Sequence, residues 1–202
     1  MSSIVPAEAI LEKFAAVVAG SLRIDPARVV ADAYLDDLGA ESLDLLEITM
    51  ETEDAFSILI AQKNIQQTAQ EVFGAGTLVK GDQLTEAGYA LLRRRMPDSL
   101  WVSVPEQPSV SDLNRLFMRV ETWIWMISGL LEHTPKTCAS CGTELEKAVA
   151  GRLKCKSCAA EVELIPGEEI NRRWVQRYFE QEYQPSMMST STQAAAPPAP
   201  AV

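Results

Sequence analysis

Apolar residues recur at helical spacing through the first half of the chain. Ile10, Phe14 and the pair Val17-Val18 fall on one helical face, and Pro6 suits a first turn, so a helix is predicted from there to about Leu22. The same period predicts three more helices: from Ser42 to near Phe56, a short one over Thr68–Phe73, and one from Asp82 or Thr85 into Arg93-Arg94-Arg95. This half is therefore predicted to be a bundle of four helices.

The second half opens with a strong amphipathic pattern. Ser111 is a suitable helix cap, and the residues after it place an apolar stripe on one face of a single predicted helix. That stripe comprises Leu113, Leu116, Phe117, Val120, Ile124, Ile127 and Leu131. Core packing is the favoured interpretation, but Trp125 lies off the stripe. Its position leaves open a groove for a fatty acyl chain or for a partner helix.

Two proline-containing segments and a C-terminal tail of unusual composition suggest where the chain divides into domains. Pro105 and Pro108 predict an extended linker, and Pro166-Gly167 separates two short predicted strands, near Leu153-Lys154 and Val162-Leu164, from a final helix. The tail is rich in Ser, Thr, Ala and Pro and is predicted to be disordered. The predicted divisions are residues 1–97 (helical bundle), 98–110 (linker), 111–183 (second domain) and 184–202 (tail).

Charge is unevenly distributed along the 202 residues, whose net charge is −10. Such an acidic chain is a poor candidate for binding nucleic acid, which relies on Lys and Arg. Residues 31–62 contain nine acids and no Lys or Arg. An acidic stretch is often only a solvated face, but here it is interpreted as a docking surface for basic partner proteins.

The apolar runs and the N-terminal residues predict a cytoplasmic protein. The most apolar run, Trp123 to Leu131, is far shorter than the ~20 residues that a membrane-spanning helix needs. The N-terminus lacks the basic and apolar regions of a signal peptide.

The four cysteines form two Cys-x-x-Cys pairs separated by thirteen residues: Cys138 with Cys141, and Cys155 with Cys158. Two such pairs can supply four thiolates in the tetrahedral arrangement that Zn²⁺ prefers. Four protein ligands leave no open coordination position, so a structural zinc site is predicted. The pattern resembles zinc ribbons, with redox-active dithiols or iron as the alternatives.

The loop before the second helix reads Asp36-Asp37-Leu38-Gly39-Ala40-Glu41-Ser42-Leu43. It resembles the Asp-Leu-Gly-Ala/Gly-Asp-Ser-Leu signature of acyl carrier proteins, with Glu41 in place of the usual Asp. The resemblance covers roughly residues 7–56. It implies an acyl-carrier-like four-helix bundle, followed here by a small helix-plus-zinc-ribbon domain, in a fold that is mainly α.

The resemblance also implies a function. Ser42 would carry covalent 4′-phosphopantetheine, whose thiol holds an acyl group as a thioester. The partners would be a phosphopantetheinyl transferase and acyl-transferring or condensing enzymes with basic docking patches. The acids expected to dock them are Asp37, Glu41, Asp44, Glu47 and Glu51.

Two other functions compete with the carrier as interpretations of the sequence. One is an unmodified acyl-carrier-like interaction module with a structural zinc ribbon, which Glu41 favours. An enzyme is disfavoured, because His133 is the sole histidine and no Ser/His/Asp set or phosphate-binding Gly loop occurs.

Overall fold

A computed structural model describes residues 5–102, 104–149 and 151–184 of the chain. The fold is mainly helical, as predicted. The helices are α1 (Ala7–Leu22), α2 (Ser42–Phe56), α3 (Ile65–Phe73), α4 (Glu86–Arg95), α5 (Val110–Phe117), α6 (Val120–Glu132) and α7 (Gly167–Tyr178). The predicted disordered tail, residues 184–202, lies outside the described residues except for Gln184.

The strands form two small antiparallel sheets. They are β1 (Val79–Lys80), β2 (Gln83–Leu84), β3 (Leu145–Lys147), β4 (Arg152–Cys155) and β5 (Glu161–Glu163). β1 pairs with β2, and β3, β4 and β5 form a sheet in that order, with Leu145 opposite Cys155 and Leu153 opposite Val162. The second sheet thus places one cysteine at the end of its central strand.

Two groups of buried apolar side chains hold these elements together. The first joins α1 and α2 to α6, where Phe14 stacks on Trp123 with ring centroids 5.2 Å apart. The second joins α3 and α4 to α5 and α7, and it includes Leu100 and Trp101 at the start of the predicted linker. Each core therefore contains side chains from before and from after the predicted linker, residues 98–110, in the sequence. The division into domains there stays a prediction.

The single helix predicted after Ser111 is wrong. The structure has two helices, α5 and α6, separated at Met118 and Arg119, where the backbone of Arg119 is extended. The first of them also starts two residues earlier than a cap at Ser111 predicts, and Ser109 caps it by accepting a hydrogen bond from the Asp112 N–H at 3.1 Å.

The break arises because backbone groups at residues 118–121 pair with the distant segment 31–35. The Leu35 N–H donates to the Met118 carbonyl at 2.9 Å, and the Val120 N–H donates to the Ala33 carbonyl at 2.9 Å. These bonds satisfy groups that a continuous helix would have used internally. The apolar period continues across the break, so it could not reveal this long-range pairing.

Candidate functional site

Ser42 is the first residue of α2 and is exposed. Glu41 occupies the cap position before it, and the Asp44 carboxylate accepts a hydrogen bond from the Glu41 N–H at 2.8 Å. Among the described residues, no partner hydrogen-bonds to the Ser42 hydroxyl. The hydroxyl is therefore not used as a helix cap, and it is available for covalent attachment of another group.

The loop that leads to Ser42 has a defined turn. Gly39 has φ 101°, a left-handed conformation that favours glycine, and its N–H donates to the Asp36 carbonyl at 3.0 Å. The Ala40 N–H donates to the Leu35 carbonyl at 2.9 Å. These bonds fix the direction in which the chain enters α2.

Arg115 of α5 ties this loop to the second half of the chain. Its guanidinium contacts the Asp36 carboxylate at 2.7 Å and the Asp37 carboxylate at 2.8 Å, and it lies 4.4 Å from the centre of the Tyr34 ring. The role of Arg115 was not predicted from the sequence. A lone Arg in an amphipathic helix gives no sign of which acids it will meet.

The five acids predicted to dock partners lie in different surroundings. Asp37 is paired with Arg115, and Asp44 accepts a bond from the backbone at the start of α2. Glu47 and Glu51 are exposed, and no cation of the described residues lies within 4.0 Å of either carboxylate. Glu41 is exposed at the cap position.

Apolar side chains also project from α2 beside these acids. Leu43, Leu46 and Met50 are 81%, 58% and 61% exposed. Large apolar side chains exposed together on one helix are typical of surfaces that contact other molecules. The outer face of α2 thus combines unpaired acids with apolar groups.

The four cysteines come together in the small sheet and the turns beside it. The Sγ atoms are separated by 3.6 Å (Cys138 to Cys158), 3.4 Å (Cys141 to Cys155) and 3.6 Å (Cys141 to Cys158), and all four lie within 4.8 Å of one another. Tetrahedral ligation at a Zn–S distance of about 2.3 Å places sulfurs roughly 3.8 Å apart. The predicted grouping is confirmed, and the donor set fits a zinc ion.

The electrostatics of this cluster also suit a cation. Hydrogen bonds from the side chain and backbone of Thr143 lower the pKa of Cys141 to about 6, which favours the thiolate that binds metals. At Cys158, a hydrogen bond from the Ala160 backbone lowers the pKa of the thiol. Hydrogen bonds shared with the other three sulfurs outweigh that effect and raise this pKa to about 12. Four thiolates this close need a positive charge between them.

Within the described residues, no helix is long and apolar enough to cross a membrane.

Comparison with known proteins places the resemblance in the first third of the chain. A family model described as a phosphopantetheine attachment site matches residues 12–72, a stretch that contains Ser42. No solved structure matches the chain significantly.

Several acyl carrier proteins are similar to this chain. That of Thermosynechococcus vestitus is 41% identical over 66 residues, covering 31% of this chain and 82% of the relative. That of Solidesulfovibrio magneticus is 41% identical over 59 residues, covering 29% and 76%. That of Helicobacter pylori strain J99 is 37% identical over 73 residues, covering 36% and 88%. With most of each relative matched, and with Ser42 at the start of α2, the chain belongs to the acyl carrier protein family.

Proposed function

We propose that this protein carries an acyl group as a thioester on 4′-phosphopantetheine attached to Ser42. The observation that carries the proposal is the exposed Ser42 hydroxyl, which has no hydrogen-bond partner among the described residues and lies within the matched attachment region. The attached group supplies a terminal thiol, which holds the acyl cargo. The protein itself needs no catalytic residues, and it acts as a carrier, not as an enzyme.

The chain's own residues serve attachment and presentation. The Gly39 turn and the start of α2 hold the Ser42 hydroxyl at the surface, where a phosphopantetheinyl transferase could reach it. The carboxylates of Glu47 and Glu51 would attract basic patches on the transferase and on acyl-transferring or condensing enzymes. Leu43 and Met50 would supply apolar contact once the proteins meet.

Mass spectrometry tests the attachment site directly. Incubation with a broad-specificity transferase and coenzyme A should add one phosphopantetheine to the wild type and none to Ser42→Ala. The control is Ser57→Gly at the other end of α2, where φ is 53° and glycine is well tolerated. Addition to Ser42→Ala, or none to the wild type, would contradict the proposal.

We also propose that the four cysteines bind one structural Zn²⁺. Because ligand binding contributes directly to the folding of small metal domains, removing zinc should unfold the sheet of β3, β4 and β5. Metal analysis should find one zinc per chain in the wild type and in Ser157→Ala, a control within the second cysteine pair. Cys155→Ser should lose it, and four freely reactive thiols in the native wild type would count against the site.

The second candidate function is an interaction module that is never modified. The exposed Leu43 and Met50 favour it, because they offer a contact surface whether or not Ser42 carries a group. The same mass-spectrometry experiment separates the two functions. A protein that no transferase modifies, yet which binds a partner through α2, would be such a module.

A further inference from the structure

A cavity of about 440 Å³ lies where α2, α6 and α7 meet the segment that leads into α3. This volume falls in the ~300–1,000 Å³ range of small-molecule sites. Its walls are largely apolar and include Ile60, Trp123, Trp125 and Met126. Most of the lining residues, Arg95, Trp123 and Trp125 among them, lie beyond the matched residues 12–72, so the part of the chain outside the family match helps to build the cavity.

The cavity opens beside the attachment site. Leu46 lines it and is 58% exposed, so the opening reaches the surface at that residue. Leu46 lies four residues after Ser42, about 6 Å along the helix axis. A phosphopantetheine arm has about 14 atoms in line, the length of roughly four to five residues, and can extend about 15 Å, so a group on the arm can reach the opening.

The charges on the cavity wall are all positive. Lys63 and Arg95 line the cavity, and no Asp or Glu of the described residues does, although the whole chain has a net charge of −10. Lys63 is already neutralised by Glu71 at 2.5 Å. Arg95 is therefore the cation that remains for a ligand.

Arg95 is held in place but is not paired. Its guanidinium lies between two indole rings, 5.2 Å from the centre of Trp125 and 5.4 Å from that of Trp174. Its Nε is buried and has no hydrogen-bond partner, and no carboxylate of the described residues lies within 4.0 Å. Burial lowers the pKa of Arg95, an effect opposed by the charge of Glu132. A partly buried guanidinium with no direct ion pair is costly, and a carboxylate would relieve that cost with paired hydrogen bonds.

Resting on the proposed carrier function, we infer that the cavity holds the acyl cargo of the arm, and that this cargo carries a second carboxylate which Arg95 binds. The apolar walls take the carbon chain, and Arg95 selects its charged end. The cargo class is therefore a dicarboxylic acyl group rather than a fatty acyl group that ends in methyl.

The test compares two cargoes of equal carbon number. The full-length protein is loaded at Ser42 by a transferase from suberoyl- or octanoyl-coenzyme A, and loading is verified by mass spectrometry. The suberoyl form should melt roughly 3–10 °C above the octanoyl form, as expected for one charge-assisted interaction in a protein of this size. Trp fluorescence should change more in the suberoyl form, since two tryptophans line the cavity.

Two pairs of variants locate the effect. Arg95→Met should abolish the difference between the two cargoes, whereas Arg94→Met, at the neighbouring position that is 63% exposed, should preserve it. Gly129 lines the cavity in mid-helix, and a Cβ there would meet nothing within 4 Å. Gly129→Phe should therefore fill the cavity and abolish the difference in melting temperature between the two loaded forms. Gly129→Ala should preserve that difference.

Each contrary result has a distinct meaning. Equal melting temperatures for the two loaded forms, or a higher melting temperature for the octanoyl form, would overturn this inference and leave the carrier function standing. A failure of Ser42 to accept any arm would overturn both. Free suberate that stabilises Ser42→Ala to the same extent would show a site for an unattached acid and would also overturn the cargo assignment.

Discussion

At the scale of single residues, the acids around Ser42 have different tasks although they look alike in sequence. Asp44 accepts a bond from the Glu41 N–H at the start of α2, and Asp37 is bound to Arg115. Glu47 and Glu51 are exposed and have no cation nearby among the described residues. The docking role predicted for all five acids therefore rests most firmly on Glu47 and Glu51.

This difference predicts opposite outcomes for two substitutions. Glu47→Lys should leave the melting temperature nearly unchanged, since an exposed charge contributes little to stability, but it should slow modification of Ser42 at low salt. Asp44→Ala removes the bond at the helix start and should cost about 1 kcal/mol of unfolding free energy. Thermal melts and transferase kinetics across a salt series measure both effects. Unchanged loading of Glu47→Lys at low salt would show that the acidic face is only solvated.

At the scale of secondary-structure elements, local sequence patterns were sufficient to predict only some features of the fold and of the site. The ends of α1 and α2 agree with the apolar period and its breakers, because those signals lie within each helix. Cysteine spacing likewise predicted the cluster. The break between α5 and α6, the partners of Arg115 and the cavity depend on segments far apart in sequence, so no local pattern could indicate them.

The break between α5 and α6 should depend on Thr122. This side chain is 3% exposed, and its hydroxyl donates to the Leu116 carbonyl at 2.8 Å, across the break. Thr122→Val keeps the shape but removes one of two hydrogen bonds to that carbonyl, which keeps only the bond from the Arg119 N–H at 3.2 Å. The loss should cost about 1 kcal/mol of unfolding free energy. Denaturant unfolding measures this loss. Thr134→Val, which removes a hydroxyl bond at the less buried end of α6, should cost less. Equal losses of unfolding free energy in the two variants would mean that the bond across the break stabilises the fold no more than the bond at the end of α6.

At the scale of the whole molecule, the second half helps to complete the core around α1. Val120 and Ile127 of α6 are fully buried there, and Trp123 stacks on Phe14. Segment 118–121 also pairs with the backbone of residues 31–35, just before the attachment loop. The part of the chain that resembles other carriers thus shares its packing with a part that does not.

This shared packing predicts the result of cutting the chain at the proposed linker. Each buried apolar side chain contributes about 1.5–3 kcal/mol, so losing several from α6 removes an amount comparable to the ~5–15 kcal/mol that stabilises a whole domain. A fragment of residues 1–97 should therefore lack a cooperative melt, and one of residues 1–134, which keeps α6, should retain more helix. Far-UV circular dichroism during heating compares both with the full chain. If the shorter fragment melted as sharply and at the same temperature as the full chain, residues 1–97 would be an independent domain, and α6 would contribute nothing essential to it.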